Sequence, residues 1–352
     1  MKRPLFLILV LALGSIGLAQ DRPLSQSEYV RMLYGLQKNP AGKVDIVEAL
    51  RRRGIDFAVT DGIRGLTRSK SSNDEELRRA LEEAERRRQN PAGSVLPSSA
   101  ESARVLEKTR SNTLAAVEQM PDFVVKQQIQ RSAAYAGTGN YRNLDNLIVA
   151  VSYRAAGQEE YKLLSLNGVI QSDSKPKQSY EEAGGTSSTG EFVTMLATIF
   201  KPESETAFEP VDTDVIRGHR AIVYDFAVQR EKARQTLSCK STIDNTTATG
   251  MKGRIWVDRE AHRVLRIESE ATDIPANFPC PTAKRNIDYD WAMIADEKYL
   301  LPLTSDVRLT VRDKDRIFET RNLIRFKNYQ KYGSEVKILD EDEPPPTEDK
   351  KP

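Results

Sequence analysis

Two periodicities divide the chain. From Asp21 to about Gln89, apolar residues recur every three or four positions, which gathers them on one face of a helix. The first predicted helix carries Tyr29, Met32, Leu33 and Leu36. The second, about Val44 to Arg53, carries Ile46, Val47 and Leu50 and stops at Gly54. After an extended link at 55–59, Thr60 or Asp61 caps a short third helix. The fourth, Asn73 to Gln89, buries Leu77, Ala80, Leu81 and Ala84. Ser25 with Glu28, Ser72 with Glu75 and Ser98 with Glu101 have the spacing of capping boxes. On the fourth helix Glu75, Glu82 and Glu83 each precede an arginine by four residues, the favourable order on a solvated helix. The charge run therefore needs no ligand to explain it. Residues 21–89 are expected to form a small helical module, either a self-contained bundle or a surface that docks another protein.

Residues 90–100 read as a linker, with the run NPAGSVLPSS, and a helix follows from about Glu101 to Gln119 with Val105, Leu106, Leu114 and Val117 as its apolar positions. From Asp122 the period changes to two. Alternation predicts strands at Phe123–Ala133, Leu144–Arg154, Glu160–Leu166, Glu209–Ile216, Arg220–Gln229, Gly253–Asp258, Arg263–Glu270, Arg285–Met293, Thr304–Arg312, Arg316–Phe326 and Ser334–Leu339. In the hairpin within Met251–Ala271, Ile255 and Val257 alternate with Arg254, Trp256 and Asp258, so the sheet has one buried and one wetter face. One helix, Gly190–Phe200, interrupts the strands. The expected fold is α+β: a helical module, then residues 101–339 as a large antiparallel β-sheet curled into a half-barrel with an inserted covering helix. Residues 340–352 (DEDEPPPTEDKKP, from Asp340) have the composition of a disordered tail.

The first nineteen residues change the compartment expected of the chain. Lys2 and Arg3 precede an apolar run from Leu5 to Leu13, and Gly17-Leu18-Ala19 supplies small residues at cleavage spacing, as in a secretory signal peptide. Its removal would leave 51 basic against 51 acidic residues, with no basic face for nucleic acid. A periplasmic or secreted location is expected. In that setting Cys239 and Cys280 are expected to form a disulfide rather than remain as buried thiols.

Candidate chemistry is sparse. Gly185 to Gly190 has the glycine spacing of a phosphate loop, but Glu191 and Phe192 stand where Lys and Ser or Thr are needed. The two histidines, His219 and His262, fall in polar turns and make no zinc pattern. Asn286, Asp288 and Asp290 share a strand face, as do the pairs Asp212/Asp214 and Asp313/Asp315, which also suits a solvated sheet surface. No nucleophile elbow occurs. The expectation is a protein that is not an enzyme and uses no cofactor and no metal. An apolar concave face under an amphipathic helix would instead make a pocket, lined by Phe192, Leu196, Ile199, Phe200, Trp256 and Trp291. The same residues would equally pack a filled core.

The order helix, antiparallel meander, inserted helix, then Gly253–Asp258 (GRIWVD) and Val264–Ile267 (VLRI) resembles the outer-membrane lipoprotein carrier and sorting family over about residues 102–339. That resemblance implies a periplasmic half-barrel with helices over an apolar cavity, binding of acyl chains, and no covalent chemistry. The helical module and the many charges of the sheet region depart from the family. The expected function is an exported envelope protein that binds a lipid, an acyl chain or a hydrophobic peptide. The alternative is a structural scaffold whose helical module recognises an envelope protein, and a hydrolase built on Asp288/Asp290 ranks last.

Overall fold

The structure is a computed structural model that describes residues 22–91, 95–154, 158–171, 186–240, 244–313 and 316–333. The expected signal peptide, the strand expected at Ser334–Leu339 and the expected C-terminal tail lie outside the described residues. The chain divides into two compact units, residues 1–91 and 92–352.

In the first unit, α1 (Gln26–Gly35), α2 (Lys43–Arg53), α3 (Asp61–Lys70) and α4 (Glu75–Gln89) enclose a core that includes Tyr29, Leu33, Ile46, Leu50, Leu77 and Leu81. The helix starts follow capping chemistry. Ser25 Oγ accepts from the Glu28 amide at 3.3 Å, and Thr60 Oγ1 accepts from Ile63 at 3.4 Å. The third expected cap is corrected. Asp74, not Ser72, caps α4, its Oδ1 accepting from Leu77 at 2.9 Å. Ser72 and Asn73 both have left-handed backbone, which turns the chain before the helix begins. Glu82 reaches across to Arg64 of α3 at 2.8 Å.

The second unit opens with α5 (Ser99–Glu118), followed by β1 (Phe123–Tyr135), β2 (Arg142–Arg154), β3 (Gln158–Leu166) and β4 (Val169–Ile170). Next come α6 (Thr194–Phe200), β5 (Ala207–Ile216), β6 (His219–Val228), α7 (Arg230–Ala233) and β7 (Gln235–Lys240). β8 (Asp244–Asp258), β9 (Val264–Thr272), β10 (Thr282–Ile294), β11 (Glu297–Asp313) and β12 (Arg316–Lys331) complete it. The strands form one curled antiparallel sheet in the order β4-β3-β2-β1-β12-β11-β10-β9-β8-β6-β5. It does not close, because β4 and β5 are its two borders. The fold is α+β and half-barrel-like.

β8 is the strand the alternation underestimates. It begins nine residues before the expected Gly253. Its first half, Asp244–Thr249, pairs with β7, and Met251–Asp258 pairs with β6. β7 lies outside the expected strands, since Gln235–Lys240 alternates over only two apolar positions, Leu237 and Cys239. Side chains from alternate positions build two clusters on one face of the sheet. One contains Ile222, Tyr224, Ile255, Val257, Ile267 and Ile287; the other contains Phe123, Val125, Ile129, Val149, Val151 and Ile324. Helix α5 contributes Val105 to the first cluster, with Leu106, Leu114 and Val117 packed against the apolar clusters. The face carrying both clusters and both covering helices is the concave one.

Helix α6 is shorter than expected. Gly190 has φ of +81°, a conformation outside the helix, and residues 191–193 form a turn before Thr194. Phe192 and Val193 remain buried in that turn.

Candidate functional site

The segment from Thr186 to Phe200 crosses the concave face. Thr186 is tied to β12, its Oγ1 lying 2.6 Å from Thr320 Oγ1 and its carbonyl accepting from Asn322. The Thr189 carbonyl accepts from Arg285 of β10 at 3.1 Å, and the Gly190 amide donates to Glu159 of β3 at 3.1 Å. The Glu191 carbonyl then accepts from the Tyr289 hydroxyl at 3.2 Å. Phe192 sets its ring edge-on to Phe123 and Phe326, with centroids 5.2 and 5.5 Å away. Met195, Leu196, Ile199 and Phe200 of α6 complete the packing. The concavity is largely filled by this segment and α5.

A cavity of about 420 Å³ stays open beside α6. It lies at the seam of the half-barrel. Glu159 and Tyr161 of β3 line one side, and Arg234, Gln235 and Thr236, at the start of β7, line the other. Met195, Met251 and Ala233 give it an apolar floor. Thr194 and Thr198 present the polar side of α6 to it, and Arg285 also reaches it.

Glu159 is the focal polar group. Its Oε2 accepts from the Tyr161 hydroxyl at 2.5 Å and from the Gly190 amide, while its Oε1 is shielded from solvent with no partner among the described residues. Burial pushes the Glu159 carboxyl above the usual range, and the neighbouring Glu191 carboxylate adds to this. The hydrogen bonds from Tyr161 and Gly190, and the charge of Arg285, act in the opposite direction. Across the seam, Gln235 Oε1 is likewise buried without a partner among the described residues.

The residues expected to line a pocket separate into three groups. Leu196, Ile199 and Phe200 come together in one concave cluster, and Phe192 sits in the adjoining one. Trp256 lies on the opposite face, packed with Ile216, Ala221, Val223 and Leu265, and its indole donates to Asp214 at 3.0 Å. Trp291 is 37 % exposed, with Lys298 Nζ 5.0 Å from its ring centre. None of the six is among the residues that line the cavity beside α6. Cys239 and Cys280 are bonded, with Cα atoms 5.9 Å apart, and tie β7 to the chain just ahead of β10.

The carboxylates suspected of acid–base work are held by guanidinium groups. Arg266 grips Asp288 with bonds of 2.8 and 3.1 Å, and Arg217 reaches both Asp288 and Asp290. The bulge at this point leaves the extra residue, Leu303, on β11, so Asp288 and Asp290 stay on one face of β10. His219 Nδ1 lies 2.8 Å from Asp258, and His262 sits in a turn with φ of +53°. Among the described residues no three potential metal ligands cluster, and no helix is long and apolar enough to cross a membrane. Glu159, Gln235 and Arg285 escaped the sequence reading. Glu159 sits in an ordinary polar alternation, and Gln235 begins the strand that alternation did not reveal.

No family model matches the chain, and no curated protein is significantly similar to it in sequence. Solved structures similar to it include a LolA superfamily protein from Nitrosomonas europaea, 11 % identical over 68 % of this chain and 95 % of that one, with a TM-score of 0.27. A DUF1329 family protein from Desulfovibrio piger is 9 % identical over 66 % of this chain and 95 % of its own, with a TM-score of 0.28. The MucA/MucB complex of Pseudomonas aeruginosa is 10 % identical over 63 % of this chain and 94 % of its own, with a TM-score of 0.17. Identities and TM-scores this low carry neither a family nor a function to this chain.

Proposed function

We propose that the chain is an exported binding protein of the cell envelope, and that its sheet unit takes up a lipid or acyl chain beside α6, without covalent chemistry. The observation that carries this reading is the seam cavity. It lies beside the covering helix, and its floor of Met195, Met251 and Ala233 is apolar. Its volume of about 420 Å³ falls within the usual range of small-ligand pockets. Each methylene buried there is worth about 0.8 kcal/mol. Methionine side chains repack readily around ligands of different shape.

The competing reading is a scaffold whose concave face is permanently filled by the segment 186–200. The two separate on one measurement. The protein is produced with export, purified without detergent, and examined by native mass spectrometry and solvent extraction. The binding reading expects acyl lipid at near one per chain, reduced by Met251→Trp, which would intrude on the cavity floor. A clean apo mass together with no uptake of added fatty alcohol would overturn it.

A further inference from the structure

We propose that the seam cavity is a site for an anionic head group, a carboxylate or a phosphate, that meets Arg285 of β10 and Arg234 beside β7. The inference rests on the binding-protein reading and specifies the polar end of its ligand.

Arg285 lies on the concave side of β10, two residues from Ile287, just as Arg131 lies on the concave side of β1, two residues from Ile129. The two guanidinium groups are used differently. Arg131 is gripped by Asp145, with both bonds at 2.6 Å. Arg285 has no carboxylate within ion-pair distance among the described residues. Its Nη1 donates to the Thr189 carbonyl at 3.1 Å, and its side chain lines the cavity. A guanidinium carries five N–H donors, so this bond leaves most of the fork to a ligand. Arg234 ends α7 on the other side of the seam and is exposed. It too has no ion-pair partner among the described residues.

The acids nearby offer little charge to the opening. Glu159 Oε2 takes the Tyr161 hydroxyl and the Gly190 amide, and its Oε1 is closed off from solvent. Burial also disfavours the charged form of Glu159. Glu191 is fully buried, with Oε1 accepting from the Ser188 hydroxyl. The charge that an incoming ligand meets is therefore that of the two arginines. A guanidinium matches a carboxylate or a phosphate with two parallel bonds, which makes such an anion the fitting partner. Thr194 and Thr198 of α6 and Thr236 of β7 line the same cavity and add hydroxyl donors along its walls. The stem of the ligand then lies along the apolar floor at Met195 and Met251.

The test is calorimetric titration of the full exported chain, stripped of co-purifying lipid, with octanoate, octyl phosphate, octanol and octylammonium. All four carry the same chain, so the head group alone differs. The two anions are expected to bind about tenfold or more tighter than octanol, the scale of a charge-assisted hydrogen bond. Octylammonium is expected to bind no tighter than octanol. Arg285→Gln and Arg234→Gln are each expected to reduce the preference for anions, and the double variant to erase it. Octanol affinity should stay unchanged throughout, which reports that the variants are folded. Arg234 is exposed, so Arg234→Gln decides the matter if Arg285→Gln fails to fold. Titration with acetate and inorganic phosphate separates the two sources of the head group. Saturable binding means a small free anion suffices, and binding of the octyl anions only means an amphiphile is required; both outcomes support the site. Equal binding of all four octyl probes, or a preference for octylammonium, would overturn the anion site and leave the binding-protein reading standing. Retention of the anion preference in the double variant, or in Arg234→Gln where it alone folds, would also overturn it. If no octyl probe binds, the binding reading fails and the inference falls with it.

Discussion

The Cys239–Cys280 bond closes a loop spanning 41 positions, and its removal should loosen the β7 side of the seam. Both half-cystines are buried, in a small cluster with Phe278 against which Leu237, Ile274, Leu309 and Val311 pack. That cluster is separate from the two large concave ones, so the cross-link and a few apolar contacts fix this part of the structure. Restricting an unfolded loop of that length is worth about 4 kcal/mol at 25 °C in the chain-entropy model, and measured bonds usually deliver about 2–4 kcal/mol. The perturbation is Cys239→Ser with Cys280→Ser, so that no thiol remains. The chain has two units and need not unfold in one step, so the probe must report on one of them. Tryptophan fluorescence does this: the only two tryptophans, Trp256 and Trp291, both lie in the sheet unit. Trp256 is 2 % exposed, and its emission should shift to the red on unfolding. The urea midpoint followed this way should fall by roughly 1–2 M, given typical denaturant slopes. Wild-type protein unfolded in reductant should show the same fall. A change equivalent to less than about 1 kcal/mol would refute the reasoning, because the loop would then be constrained by packing already.

Gly253→Ala should destabilise the sheet unit by about 1–3 kcal/mol, read as a lower midpoint in the same urea titration. A methyl group built there would stand 1.9 Å from the Glu268 carbonyl oxygen of β9, so a variant as stable as wild type would contradict this close approach. Asp306 on β11 takes bonds from Arg321 at 2.8 and 2.9 Å and from Arg308 at 2.8 Å. Burial pushes its carboxyl up, but the hydrogen bonds and charges of Arg321 and Arg308 outweigh it and hold the group below the usual carboxylate range. A depressed folded-state pKa means stability that is present above the unfolded value and lost as pH falls through the folded value. Asp306→Asn should therefore cost about 2 kcal/mol near neutral pH, and the gap from wild type should close in acid; a gap independent of pH would refute the assignment.

Local chemistry was legible in the sequence, and long-range pairing was not. The serine at position 98 caps α5 as its spacing suggests, with Oγ accepting from the Glu101 amide at 3.2 Å. Yet the Glu101 carboxylate is taken by Arg259, 158 positions away, a partner no local pattern could reveal. The long alternating strands among the described residues match the expected ones, and those not expected, β4 and β7, offer too few apolar positions to set a period. Trp256 is the most instructive error of placement. Alternation already set it opposite Ile255 and Val257, and the structure keeps that opposition. The period tells which residues share a face but not which face is concave. That is settled by where α5 and α6 pack, which depends on contacts far apart in sequence.

Ion pairs and unpartnered polar atoms are both found along the sheet. On the outer face, carboxylates meet guanidinium groups: Asp288 with Arg266, Asp225 with Arg254, Asp306 with Arg321. Such pairs contribute modestly to stability and leave little for a ligand to satisfy. Buried polar atoms without partners among the described residues occur on both faces, at Gln127 and Ser305 on the inner one and at Asn146 on the outer. Simple packing would favour apolar residues at these positions, because an unmade buried hydrogen bond costs about 1–3 kcal/mol.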